Sequence, residues 1–132
     1  MTWDLDARVR SAMVSDSLDV LGVRNNAMSV NVKALRPHMR AVGLAATVKF
    51  VPDSQYDQQD PYGAGIDFLD TLQVGEIAVM GTGGECLSAF WGELFSAAAK
   101  GRGATGVVVD GPLRDTEQVV ALDFPAFGQG SR

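Results

Sequence analysis

The sequence predicts an α/β layered domain. Three observations carry that prediction. Short apolar runs rich in β-branched residues alternate with segments of helical composition. Glycine, 15 residues in all and most of them after Gly63, separates these runs. Val107, Val108 and Val109 are continuous, the pattern of a strand covered on both faces.

Each element follows in order. Asp4 to Met13 alternates charge with Leu5, Val9 and Met13, a stripe that predicts an amphipathic helix. Ser15 is read as the cap of a second short helix reaching Leu21, with Gly22 as its stop. Asn25 to His38 reads as loop, broken at Pro37, and Gly43 to Val51 as a strand. Pro52 to Pro61 is a polar surface loop. Ala64 to Leu72 fits a helix with Ile66, Leu69 and Leu72 turned inward. Val74-Gly75-Glu76 is a tight turn into a strand over Ile77 to Met80, followed by a glycine-rich loop, Gly81 to Glu85, and a short apolar run, Cys86 to Trp91. Glu93 to Lys100 is a strong helix former, stopped by Gly101 and Gly103. Thr105 to Asp110 is a buried strand, Gly111-Pro112 turns the chain, Asp115 to Leu122 is a further helix, and Phe124 to Phe127 a last strand.

Composition narrows the function. The chain has 132 residues, 46% apolar and 20% charged, enough for one domain with a real core. Its net charge of -5 without a basic run argues against a nucleic-acid grip. The lone cysteine, Cys86, permits no intramolecular disulfide and reads as a buried core thiol, which fits a reducing cytoplasm. No apolar stretch is long enough to predict a transmembrane helix, and residues 1–10 lack the apolar centre of a signal peptide. His38 is the only histidine and stands far from any serine or cysteine signature, which disfavours a triad or a histidine zinc site. Lys33, Lys49 and Lys100 carry no cue for a depressed pKa, so Schiff-base chemistry has little support.

Three features can carry chemistry. Gly92 precedes the helix that starts at Glu93, where open backbone N–H groups and the helix dipole favour a carboxylate or phosphate. Taken alone, such a glycine is more often a plain cap. Asp110-Gly-Pro-Leu-Arg114-Asp115 follows the valine strand, and ligands of α/β domains gather at the carboxyl ends of strands. Arg114 offers a planar fork for carboxylate or enolate oxygens, and Asp115 a hard oxygen ligand for a divalent cation. The competing reading, an N-capping Asp115 beside a solvated Arg114, is not separable from this one by residue type. The loop Gly81 to Gly84 lacks both the P-loop pattern and the GxGxxG fingerprint, and reads as a turn.

The run FWGELFSAAAKGRGATGVVVDGPLRD resembles the family that joins the 4-hydroxy-4-methyl-2-oxoglutarate aldolases to the regulator of ribonuclease activity A proteins, the RraA-like family. The family's mark is an acidic residue, or glycine in the regulators, then twenty residues, then Arg-Asp. Glu93 and Arg114-Asp115 stand at that spacing. Ser15 to Gly22, Val42 to Val48 and Gln73 to Val79 resemble the family's early helix, first strand and pre-loop strand, so the likeness covers nearly the whole chain. Gln118 departs from the pattern, since the family often has an acidic residue three positions past the aspartate, and Glu117 is one place early.

The resemblance implies a fold: the layered α/β/β sandwich of this family, of the swivelling phosphohistidine-domain type. It implies a lyase that cleaves 4-hydroxy-4-methyl-2-oxoglutarate and decarboxylates oxaloacetate, with magnesium or manganese as cofactor. Asp115 would bind the metal, Arg114 the 2-oxo acid, and the amides around Gly92, Glu93, Leu94 and Phe95 its carboxylate, while Glu93 would support a water or move a proton. The alternative is a regulator that binds and inhibits a ribonuclease. A homotrimer or hexamer with sites between subunits is expected, with some of Trp3, Phe90, Trp91, Phe124 and Phe127 at the contacts. Residues 1–132 are expected to form a single domain that lacks the family's C-terminal strands.

Overall fold

The computed structural model describes residues 5–51, 58–83 and 88–132. It contains α1 (Ser11–Val20), β1 (Lys33–Ala34), β2 (Leu44–Lys49), α2 (Gly63–Thr71), β3 (Glu76–Gly81), α3 (Glu93–Gly101), β4 (Gly106–Asp110), α4 (Thr116–Ala121) and β5 (Ala126–Gly128). The strands form a five-stranded sheet in the order β1-β5-β4-β3-β2. β2, β3, β4 and β5 run parallel, and β1 pairs antiparallel with β5. The α/β class expected from the sequence is the class observed.

The order explains the layering. Each parallel strand lies beside its predecessor, and each crossover carries a helix. Right-handed crossovers that always advance in one direction place every helix on the same face. The register confirms this. Ala46, Ala78, Val107 and Ala126 align across the sheet, as do Val48, Met80 and Val109. These residues pack with Leu69 of α2 and the following Leu72, Ala99 of α3 and Val119 of α4 in one core. Phe124, Leu72, Met80 and Leu113 are essentially fully buried, each stabilising the fold by about 1.5–3 kcal/mol relative to exposure. On the opposite face Ala45 and Thr47 are exposed, and Val79, Val108 and Phe127 are only half-buried. The valine run is therefore covered on one face, not two: Val107 and Val109 point into the core while Val108 points away from it.

Several expectations at the N-terminal end are corrected. Residues 5–10 are not helical; one helix begins at Ser11 and absorbs the second predicted one. Ser15 caps nothing, and its hydroxyl donates to Asn26 Oδ1 at 2.6 Å. Gly22 does stop the helix: it has φ 79°, and the amides of Gly22 and Val23 close on the carbonyls of Asp19 and Leu18. The segment read as loop contains β1, whose two residues are too few to show periodicity. In α2, Leu69 and the following Leu72 are buried as expected, but Ile66 is 48% exposed. Trp91 and Phe124 are core residues, 0% and 1% exposed, and so are not contact aromatics. Trp3, Gly84, Glu85 and Cys86 lie outside the described residues.

Candidate functional site

Two chain segments meet at the carboxyl ends of the strands. The first is the N-terminus of α3. Trp91 is anchored in the core, its indole Nε1 donating to the buried Ser96 Oγ at 2.9 Å. Phe95 packs edge-on against Trp91 and Phe90, with ring centroids 5.6 and 5.0 Å away. This fixes where the helix starts. The Ser96 amide returns to the Gly92 carbonyl at 3.0 Å. The amides of Glu93, Leu94 and Phe95 therefore open the helix, without acceptors inside it.

The second segment joins β4 to α4. Within it Leu113 is fully buried, and the Arg114 amide donates to the Trp91 carbonyl at 3.0 Å. Asp115 follows in the left-handed region at φ 50°, a conformation aspartate tolerates better than most residues. It occupies the N-cap position of α4 but makes no side-chain cap bond there. Its carboxylate turns instead to the neighbouring helix, where the Glu93 amide donates to Oδ2 at 3.3 Å. The capping reading thus holds for position only: Asp115 stands at the N-cap of α4, while its carboxylate serves the start of α3.

Arg114 and Asp115 sit directly over Gly92. A Cβ at position 92 would collide with Asp115 Oδ2 and lie 2.7 Å from Arg114 Cγ. Glycine is required here by space, because its φ of -149° is open to any residue. The Arg114 side chain is 40% exposed, yet its Nε is shielded from solvent. It is the one buried side-chain nitrogen or oxygen among the described residues with no hydrogen-bond partner. Asp115 Oδ2 stands 3.5 Å from it, an electrostatic contact rather than a formed bond.

The sequence-predicted residues Gly92, Glu93, Arg114 and Asp115 are therefore brought together. The Leu94 and Phe95 side chains belong to a cavity that runs from Gly92 and Arg114 along the groove between α2 and α3. The α2 side of that cavity, Tyr62 and Ile66, was missed in the sequence, where Ile66 counted as a core position. Also missed was the β4 edge: Thr82 Oγ1 donates to the Asp110 carbonyl, and Gln129 Nε2 to Asp110 Oδ1, both at 2.5 Å. Nothing local in the sequence brings positions 82, 110 and 129 together.

Among the described residues no group of three or more His, Cys, Asp and Glu converges. Magnesium and manganese do not need one, since magnesium is held through one or two carboxylates and keeps several waters. Asp115, 43% exposed, fits that role as a single hard anchor.

The model of the RraA-like family, described as Aldolase/RraA, matches residues 11–132. This chain belongs to the RraA-like family. Among its relatives is a protein of Halalkalibacterium halodurans named "Putative 4-hydroxy-4-methyl-2-oxoglutarate aldolase", 29% identical over 93% of this chain and 53% of its own length. Protein DlpA of Legionella pneumophila is 27% identical over 91% of this chain and 19% of its own. A solved structure of RraAS2 from Streptomyces coelicolor, described as an unusual member of the RNase ES inhibitor RraA protein family, superposes with a TM-score of 0.80. It is 29% identical over 95% of this chain and 61% of its own. The RraA-like chain described here thus spans about half of the aldolase-named relative and a fifth of DlpA. No described helix is long and apolar enough to cross a membrane.

Proposed function

We propose that this RraA-like chain is a lyase acting on 2-oxo acids, releasing pyruvate by retro-aldol cleavage in the manner of a 4-hydroxy-4-methyl-2-oxoglutarate aldolase, and decarboxylating oxaloacetate. The observation that carries the reading is the unpartnered Arg114 Nε beside Asp115, above a glycine whose missing side chain lets both lie against the start of α3.

The substrate carboxylate docks at the N-terminus of α3, where the Leu94 and Phe95 amides and the helix dipole receive it. Asp115 already engages the Glu93 amide, which leaves the Leu94 and Phe95 amides for the acid. Gly92 lets Arg114 and Asp115 approach the backbone at the start of α3. Arg114 directs its guanidinium to the keto oxygen, where negative charge grows as the bond beyond C3 breaks. In aldol cleavage the C3–C4 bond breaks, the C4 hydroxyl loses its proton to Glu93 or water, and C4 becomes a carbonyl. The electron pair stays with the pyruvate fragment, and C3 is then protonated. Asp115 would hold a magnesium or manganese ion, which when bound supplies Lewis-acid positive charge to the keto and carboxylate oxygens.

The competing reading is a regulator that binds a ribonuclease, since the Streptomyces protein is described as belonging to a family of RNase ES inhibitors. Glu93, where regulators carry glycine, favours the lyase. The deciding experiment is pyruvate release from oxaloacetate with magnesium, with chelator, and with Asp115→Asn. Chelation and the variant should each lower turnover by roughly a hundredfold or more, the scale of several kcal/mol of lost transition-state stabilisation. Turnover unchanged by chelator would overturn the metal route, and no turnover of any 2-oxo acid would overturn the lyase.

A further inference from the structure

The cavity at the site is much larger than a pyruvate unit needs. Its volume is about 440 Å³, well inside the range of ligand pockets. It starts at Gly92 and Arg114 and reaches Arg102, ten residues on, or about 15 Å along a helix. Between these ends its walls are Tyr62, Ile66 and Leu69 on one side and Leu94, Phe95 and Ala98 on the other. Ile66 and Leu94 are 48% and 73% exposed, apolar side chains that the fold itself leaves uncovered.

The far end does not suit a second carboxylate. The Arg102 guanidinium is engaged: Nε donates to the Leu72 carbonyl at 3.2 Å, Nη2 to the Asp70 carbonyl, and Nη1 lies 3.4 Å from Asp70 Oδ1. Asp70 also lines the cavity, and its charge repels an anion. The walls offer no other cation between Arg114 and Arg102.

We propose that this groove holds the substituent on the distal carbon of the 2-oxo acid, and that this substituent is apolar and bulky, branched aliphatic or aromatic. The inference rests on the lyase reading for the position of the carboxylate at Gly92. It replaces the second carboxylate of 4-hydroxy-4-methyl-2-oxoglutarate by an apolar group, so the second product is an apolar aldehyde or ketone, left when the C3–C4 bond breaks and the C4 hydroxyl proton departs. Continuity with the Gly92 and Arg114 end selects this occupant over a second protein chain.

The test is titration calorimetry of the whole chain with magnesium, using pyruvate and phenylpyruvate. Phenylpyruvate should bind roughly tenfold tighter or more, from the area its ring buries. Ala98→Trp fills the groove from an exposed helix position, and Ile66→Asp charges the opposite wall. Each should abolish the difference between the two acids, with circular dichroism confirming the fold. Equal affinities in the wild type, or variants that weaken both acids alike, would overturn the proposal. So would loss of self-association in Ala98→Trp with the preference for phenylpyruvate intact, which would assign the groove to a second copy. Oxaloacetate turnover separates the two ideas. Turnover without a preference for phenylpyruvate sinks the groove and spares the lyase. A groove-dependent preference without any turnover sinks the lyase and keeps an apolar 2-oxo acid as ligand.

Discussion

Gly92 shows how little room a single atom has at this site. Gly92→Ala puts a methyl group against Asp115 Oδ2 and Arg114 Cγ, and the carboxylate must move away from the Glu93 amide. Overpacking of this kind costs about 1–3 kcal/mol. We expect a modest fall in denaturation midpoint and a fall in kcat/KM of roughly tenfold or more, read by urea melts and pyruvate release. Arg114→Lys keeps the charge and loses the planar fork that points an Nε–H inward. It should lower kcat/KM by about tenfold to a thousandfold, the scale of a lost charge-assisted contact. Wild-type kinetics in that variant would remove Arg114 from the chemistry. These residues were legible through the spacing of the family resemblance, Glu93 twenty residues before Arg114-Asp115, since residue type alone left both features open. Tyr62 and Ile66 were not. Their role depends on which face of α2 meets α3, and the helical periodicity placed Ile66 inside.

At the scale of the element, α3 is the part that everything else positions. It ends as its sequence predicts, with Gly103 at φ 87° and the amides of Gly103 and Ala104 closing on Lys100 and Ala99. Its start depends on the buried Trp91–Ser96 hydrogen bond. Trp91→Phe keeps most of the apolar volume but leaves the Ser96 hydroxyl unsatisfied, at a cost of about 1–3 kcal/mol. We expect a lower denaturation midpoint together with a raised KM, as the amides proposed to receive the carboxylate lose their fixed place. β5 supports the other half of the site. A Cβ at Gly128 would lie 2.9 Å from Leu113 Cγ and 3.0 Å from the Gly111 carbonyl. Gly128→Ala should therefore disturb the turn that carries Arg114 and lower both stability and kcat/KM, although residue 128 is fourteen positions away in sequence. α3 and β4 were readable because composition and glycine punctuation agree over whole turns and strands. The start of α1 was misplaced because the Leu5, Val9 and Met13 spacing also suits an irregular segment, one that Arg40 holds through the carbonyls of Ala7 and Val9 at 2.6 and 2.9 Å. Helical spacing alone does not supply the packing that stabilises a helix, and α1 has no buried residue.

For the whole molecule, the sequential strand order has a consequence that no local pattern reveals. With α2, α3 and α4 packed on one face of the sheet, the other presents Thr47, Val79, Val108 and Phe127 without a covering helix among the described residues. Separately, α1 and the segment after it carry Val20, Leu21 and Val30, which are 88%, 76% and 85% exposed. Apolar side chains left in water are the material of interaction sites where they cluster. The contact aromatics expected from the sequence were in part the wrong ones, since Trp91 and Phe124 lie in the core, and aliphatic residues carry the exposed surface instead. We predict that the active form contains more than one copy of the chain, as the trimeric habit implied by the family resemblance suggests. Turnover per chain should then fall on dilution as the assembly dissociates. Light scattering and pyruvate release, measured across one dilution series, test this together: the scattering mass and the specific activity should decline over the same concentration range. Undiminished turnover by a species of 14.0 kDa, the mass of one chain, would overturn the prediction, because every group the chemistry needs would then be supplied by a single polypeptide.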